Sequence, residues 1–241
     1  MNVPPVISGM RVRWCEDGSF YLPRANKELQ RKMDNEYDRV PGELKWFPRT
    51  QEAGWSIDTI KHVFKDHGCY VIGKGPSIDR LSEEDFTDRD DPIICINESV
   101  HVIEKLELPN PLFVFQQDMS LRETCLPKRA TLILAKHASH WYSKLKSKII
   151  IDVKDYKSKA TNLSVHVVTM LLKDLGCSCI TYMGFDACLT GDTTYSQIVD
   201  YEPTRGGNPK RFLDHKKVIE ESCGDLPHKF RLPRKRAVKT D

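Results

Sequence analysis

The chain has 241 residues, a formal net charge of +3 and 39% hydrophobic residues, long enough to bury a sizeable core as one domain or a domain with an appendage. So small a charge does not by itself indicate a nucleic-acid binder, and no apolar run approaches the roughly 20 residues needed to span a bilayer. The opening Met-Asn-Val-Pro-Pro-Val-Ile-Ser lacks the charged and apolar regions of a signal peptide, and Cys69, Cys95 and Cys179 lie inside apolar runs, so a cytoplasmic protein with reduced cysteines is expected.

Residues 1–65 read as an N-terminal extension built from a hairpin and a helix. Arg11-Val-Arg-Trp-Cys and Ser19-Phe-Tyr-Leu are two short strands around Glu16-Asp-Gly-Ser, a hairpin-like turn. Residues 26–39 form a charged helix, and Val40-Pro-Gly breaks it. Trp46, Phe47 and Trp55 are expected to pack this arm onto the main body, since large aromatics mostly fill cores and interfaces. Residues 57–64 then make a short helix leading inward.

The stretch Cys69-Tyr-Val-Ile-Gly-Lys-Gly-Pro-Ser77 opens a second unit, 66–226. Tyr70, Val71 and Ile72 read as a strand buried on both faces. Gly73 and Gly75 permit a sharp turn and close approach of the backbone to a ligand. Pro76 suits a first helical position, and Ser77 and Asp79 offer capping groups. Together these make an anion-binding corner of the kind nucleotide phosphates use.

Strands and helices alternate from there. Strands are predicted over 92–96, 112–115, 131–134, 148–151 and 179–183, and helices over 100–106 and 164–175, with Gly176 as the stop. This pattern predicts an α/β, Rossmann-like, largely parallel sheet with flanking helices. Ligands in such sheets sit beyond the carboxyl ends of the strands. The polar residues that follow the strands here are Lys74 to Ser77, Asn97, Gln117 with Asp118, and Asp186 in Gly184-Phe-Asp186. Cys177-Ser-Cys179 is too close for a usual zinc pair and lacks a second pair, so no structural metal is expected.

Tyr70-Val-Ile-Gly-Lys-Gly-Pro-Ser, Cys95-Ile-Asn97, Thr161-Asn-Leu-Ser with its helix, and Tyr182-Met-Gly-Phe-Asp186 occur in that order. In this the chain resembles the sialyltransferase-like superfamily: the bacterial sialyltransferases of glycosyltransferase family 42 and the MptE-like 6-hydroxymethylpterin diphosphokinase family. The resemblance runs from about Cys69 to Tyr195. It implies nucleotide contacts from Gly73, Gly75, Ser77 and Asn97, and donor contacts from Thr161 and Asn162. It also implies a tyrosine that assists the leaving phosphate at Tyr195 and a general-base histidine at His215. Two departures are visible: Gly-Lys-Gly stands for the family's Gly-Asn-Gly, and Gln117 or Asp118 stands for an asparagine.

The chemistry such a reading requires can be stated from the residues. Transfer from a nucleotide-sugar donor to a hydroxyl acceptor builds charge on the leaving phosphate, which amides near Gly75 and the Lys74 ammonium can meet. It also needs a base near working pH, which suits histidine: His215, or His137 and His140. No cofactor is then required beyond the nucleotide donor. The alternatives are a Mg²⁺-dependent diphosphokinase acting on a pterin-like substrate, with Asp118 and Asp186 on the metal, or a non-catalytic nucleotide- or nucleic-acid-binding protein. Residues 227–241 read as a solvated basic tail, with Lys229, Arg231, Arg234, Lys235, Arg236 and Lys239, through which nucleic acid could be held by its phosphates.

Overall fold

The structure of the protein is a computed structural model, which describes residues 56–117, 129–135, 148–156, 163–196, 213 and 215–233 and four short strands earlier in the chain. Those four are β1 (Val6–Ile7), β2 (Met10–Arg11), β3 (Arg13–Trp14) and β4 (Phe20–Tyr21). β1 pairs with β2, and β3 pairs antiparallel with β4, Trp14 opposite Phe20, as the Glu16-Asp-Gly-Ser turn predicts. The helix expected over 26–39 and Trp46, Phe47 and Trp55 lie outside the described residues.

Seven strands form the main sheet: β5 (Gly68–Ile72), β6 (Ile93–Ile96), β7 (Leu112–Gln116), β8 (Thr131–Ala135), β9 (Lys148–Ile151), β10 (Cys179–Met183) and β11 (His228–Arg231). Their order is β11-β10-β5-β6-β7-β8-β9, and every neighbouring pair is parallel. The fold is therefore α/β and Rossmann-like. Side chains of successive residues point to opposite faces. Tyr70, Ile72, Cys95 and Val114 meet Ile78, Phe86 and Ile103 on one side. Val71, Ile94, Phe115 and Tyr182 meet Phe64, Val168, Leu172 and Ile219 on the other. Each large apolar side chain buried this way contributes about 1.5–3 kcal/mol, so the central strands hold the sheet together.

Among the described residues the α-helices are α1 (Lys61–Phe64), α2 (Val100–Glu104), α3 (Ser164–Asp174), α4 (Asp186–Leu189) and α5 (His215–Cys223). α3 ends at Gly176, whose φ of +79° suits glycine, with the Cys177 N–H returning to the Leu172 carbonyl at 3.0 Å. Among the described residues no helix is long and apolar enough to cross a membrane.

Ile60 and Phe64, placed in the N-terminal extension, are buried against the main sheet. His228–Arg231, placed in the tail, is the edge strand β11. Its Arg231 guanidinium reaches the carbonyl and the carboxylate of buried Asp85, so Arg231 is a structural residue.

Topology fixes where a ligand can enter. The chain steps outward from β5 through β9, then returns to lay β10 on the other side of β5. The boundary between β5 and β10 is the switch point, beyond whose carboxyl ends open α/β sheets take their ligands.

Candidate functional site

Two loops meet at that switch point. The Gly73 N–H donates to the Met183 carbonyl and the Gly75 N–H to the Gly184 carbonyl, both at 2.8 Å. Pro76–Arg80 is a short 3-10 helix with Gly75 at its N-cap and proline in its first turn. Ser77 does not cap it, contrary to the expected role. Its N–H and hydroxyl both donate to Asp186 Oδ2, at 3.3 and 2.8 Å. The expected anion corner is thus filled, at Ser77, by the protein's own carboxylate.

The glycines fit this arrangement. Gly75 has φ −66°, ordinary for any residue, so backbone freedom is not its purpose. A Cβ there would lie 2.0 Å from Asp186 Oδ2 and 2.8 Å from the Gly184 carbonyl. At Gly184, with φ +73°, a Cβ would lie 2.4 Å from Ile78 Cγ2. Close approach is needed, as the sequence suggests, and what approaches is the neighbouring loop.

Above this clasp the polar groups gather. Lys74 Nζ lies 3.0 Å from Glu98 Oε2, with side-chain exposures of 14% and 5%, and 5.4 Å from the centroid of the Tyr195 ring. An ammonium held between a carboxylate and an aromatic face is favourably placed on both sides. The Ser196 N–H donates to the Lys74 carbonyl at 2.8 Å, and the Ser196 hydroxyl donates to Asp79 Oδ1. The 191–196 segment is thereby strapped across the Gly-Lys-Gly turn. The Ser99 hydroxyl reaches the Ile72 carbonyl at 2.9 Å, tying the end of β6 to that of β5.

Asn97 begins the turn after β6 with φ +54°, a left-handed conformation that asparagine tolerates better than other side-chain-bearing residues. Its Oδ1 is buried and makes no hydrogen bond among the described residues. A buried amide oxygen left so costs roughly 1–3 kcal/mol, which a ligand donor would recover. Gln117, at the end of β7, is buried, and the pairing of Ile96 with Phe115 brings these two strand ends side by side.

The predicted residues therefore divide. Gly73, Lys74, Gly75, Pro76, Ser77, Gly184, Asp186 and Tyr195 come together, with Asn97 and Gln117 at the adjoining strand ends. His215 is half-buried in the first turn of α5, which packs against α3 and α4. Asp118, Thr161, Asn162, His137 and His140 lie outside the described residues. Sequence reasoning missed Glu98, Ser196 and the pairing role of Asp79. An acidic residue two places past a fully apolar strand, level with a lysine after the neighbouring strand, is the signal that could have found Glu98.

Among the described residues no three or more His, Cys, Asp or Glu side chains gather so as to hold a metal ion. Burial pushes the Cys177 thiol up to about 12 and the Cys188 thiol up to about 11. These sulfurs stay protonated near neutrality and are poor nucleophiles. No family model matches the chain, and a search of curated proteins returned no match.

Proposed function

We propose that the protein is a glycosyltransferase-like enzyme that transfers a group from a nucleotide-activated donor, a nucleotide sugar, to a hydroxyl acceptor. The observation that carries this reading is Asn97 Oδ1, a buried acceptor without a partner among the described residues, beyond the strand ends of a Rossmann-like sheet. Nucleotide bases and riboses carry N–H and O–H donors suited to it. The neighbouring Lys74 ammonium and the Tyr195 ring supply a cation and a phenol where a leaving phosphate would be met. The likeness of the motifs to the sialyltransferase-like superfamily supports the same reading.

In this reaction the acceptor oxygen attacks the sugar carbon bonded to phosphate as the nucleotide departs. The acceptor proton passes to a base, for which His215 is the candidate. Lys74 and the Tyr195 hydroxyl stabilise charge on the leaving phosphate.

The test begins with a thermal-shift screen of nucleotides and nucleotide sugars, because stabilisation tracks ligand concentration over its dissociation constant. Donor turnover is then followed with the best ligand, with and without chelator. The reading expects chelator-resistant release of nucleotide and a fall of roughly 10²–10⁴-fold in His215→Ala. Binding with every donor left intact would make the protein a non-catalytic nucleotide binder. Loss of activity on chelation would point to the Mg²⁺-dependent diphosphokinase reaction.

A further inference from the structure

Tyr195 is carried by a loop that begins and ends on one short helix. At its start Asp186 accepts both donors of Ser77, and at its end the Ser196 hydroxyl donates to Asp79 Oδ1. Ser77 and Asp79 both lie on the 3-10 helix Pro76–Arg80. Within the loop the Thr190 N–H and hydroxyl return to the Asp186 carbonyl at 2.7 and 3.0 Å. The Asp192 carboxylate takes the Thr194 N–H and hydroxyl at 2.9 and 2.7 Å. The N–H of the Tyr195–Ser196 peptide then donates to the Lys74 carbonyl at 2.8 Å. The Tyr195 ring meets the side chain of that same lysine, 5.4 Å from ammonium to ring centroid.

We propose that Ser196 is a positioning residue for the candidate reaction, holding the Tyr195 phenol beside the Lys74 ammonium so that both meet one leaving phosphate; this rests on the nucleotide reading given above. Ser196 acts through Tyr195 and need not touch the donor. It is 2% exposed, whereas Tyr195 is half-buried, so the anchor is shielded from water and the group it carries remains accessible. A hydrogen bond to a carboxylate is stronger than one between neutral groups, and here it is closed inside the fold. Two bonds from one residue, to Lys74 and to Asp79, fix both the place and the tilt of the Tyr195–Ser196 peptide. Loss of the hydroxyl lets Tyr195 shift against Lys74, and a displacement of about 1 Å can cost about 10²-fold in turnover.

The experiment uses the full chain and has two arms. In the first, carbon–proton NMR records the lysine ε-methylene signals of the free protein, with Lys74 assigned through its loss in Lys74→Arg. The aromatic ring shifts the Lys74 signal upfield in wild type, and Tyr195→Leu removes that shift. Ser196→Ala moves the signal toward its Tyr195→Leu position. In the second arm donor turnover and nucleotide affinity are measured in Ser196→Ala, Tyr195→Phe and the double variant. Turnover falls about 10–100-fold in Ser196→Ala while nucleotide affinity changes less than about threefold. In the Tyr195→Phe background the same substitution costs less than about threefold more, because the two act as one unit. A purely structural serine lowers the melting temperature but leaves the Lys74 signal in place, and its effect on turnover adds in full to that of Tyr195→Phe. Either result overturns the proposal. Should Ser196→Ala fail to fold, Asp79→Asn keeps an oxygen for the hydroxyl and removes the charge; smaller changes in the same direction are expected in both arms, and none overturns the proposal. Absence of binding by any nucleotide overturns the nucleotide reading and with it the role in the reaction, while the Lys74 signal reports the anchoring separately.

Discussion

Ser77 and Asp186 stand 109 residues apart in the chain, yet one oxygen of Asp186 accepts both the N–H and the hydroxyl of Ser77. Both residues are buried, and together they lock the loop after β5 to the loop after β10. The floor of the candidate site is this clasp.

Ser77→Ala removes one buried hydrogen bond to a charged group and should destabilise the fold by about 1.5–3 kcal/mol. Urea unfolding measures it directly. A change within error would mean that water replaces the hydroxyl without loss.

Gly75→Ala places a methyl where Asp186 Oδ2 and the Gly184 carbonyl already sit. Backbone and a buried carboxylate must both shift, so the melting temperature and nucleotide binding should fall together. Retained binding in a destabilised protein would show that the ligand does not rest on this clasp.

Asn97→Gly separates binding from folding more cleanly. Glycine adopts φ +54° without strain, and the deleted Oδ1 makes no hydrogen bond among the described residues. Stability should stay within about 1 kcal/mol, the entropic cost of a glycine, while nucleotide affinity weakens by about 1–3 kcal/mol. Calorimetry paired with urea unfolding reads both, and unchanged affinity would remove Asn97 from the site.

The basic C-terminus must be cut with care. Removing residues 234–241 leaves the Arg231–Asp85 pair intact, so stability should not change, and any nucleic-acid binding through the tail should weaken with a flatter salt dependence. Arg231→Ala instead takes the guanidinium away from a carboxylate that is 1% exposed and should cost about 3 kcal/mol. Equal nucleic-acid binding by full-length and truncated chains at every salt concentration would leave the tail no such role.

Acid should destabilise the protein through His166. Burial lowers its pKa below the ordinary imidazole value, with a backbone hydrogen bond at Tyr156 opposing. Its Nδ1 lies 2.5 Å from the Ser222 hydroxyl at the contact between α3 and α5. Because the folded pKa is the lower one, the unfolded chain binds more protons between the two values. Stability is full above the unfolded value near 6.5 and declines as pH falls toward the folded one. Unfolding free energies at about pH 7.5 and 5.5 should differ less in His166→Gln than in wild type.

Local signals carried most of the sheet. The strands from β5 to β10 are apolar runs buried on both faces, and such runs are legible in a window of five residues. β11 was missed because His228-Lys229-Phe230-Arg231 is an edge strand with Phe230 alone packed into the core, so no apolar run announces it. The candidate site was legible as polar strand ends, whereas its pairings were not. Glycine at 75 suggested a ligand at close quarters; that the neighbour is Asp186 follows only from strand order. The meeting of the Glu98 carboxylate with Lys74 likewise follows only once β6 is laid beside β5.

The same strand order has a consequence for synthesis. β5 is made early and acquires β6 within a few dozen residues, but its other neighbour, β10, pairs through the register Gly68↔Cys179. At ordinary elongation rates of about 5–20 residues per second, a centrally placed apolar strand waits several seconds for that partner. In that interval the nascent sheet presents an open, water-averse edge at its eventual middle. Closure of the loop itself adds little, since its entropic cost grows only with the logarithm of length. The hazard is therefore one of timing, and it ends when β10 leaves the ribosome and Asp186 reaches Ser77.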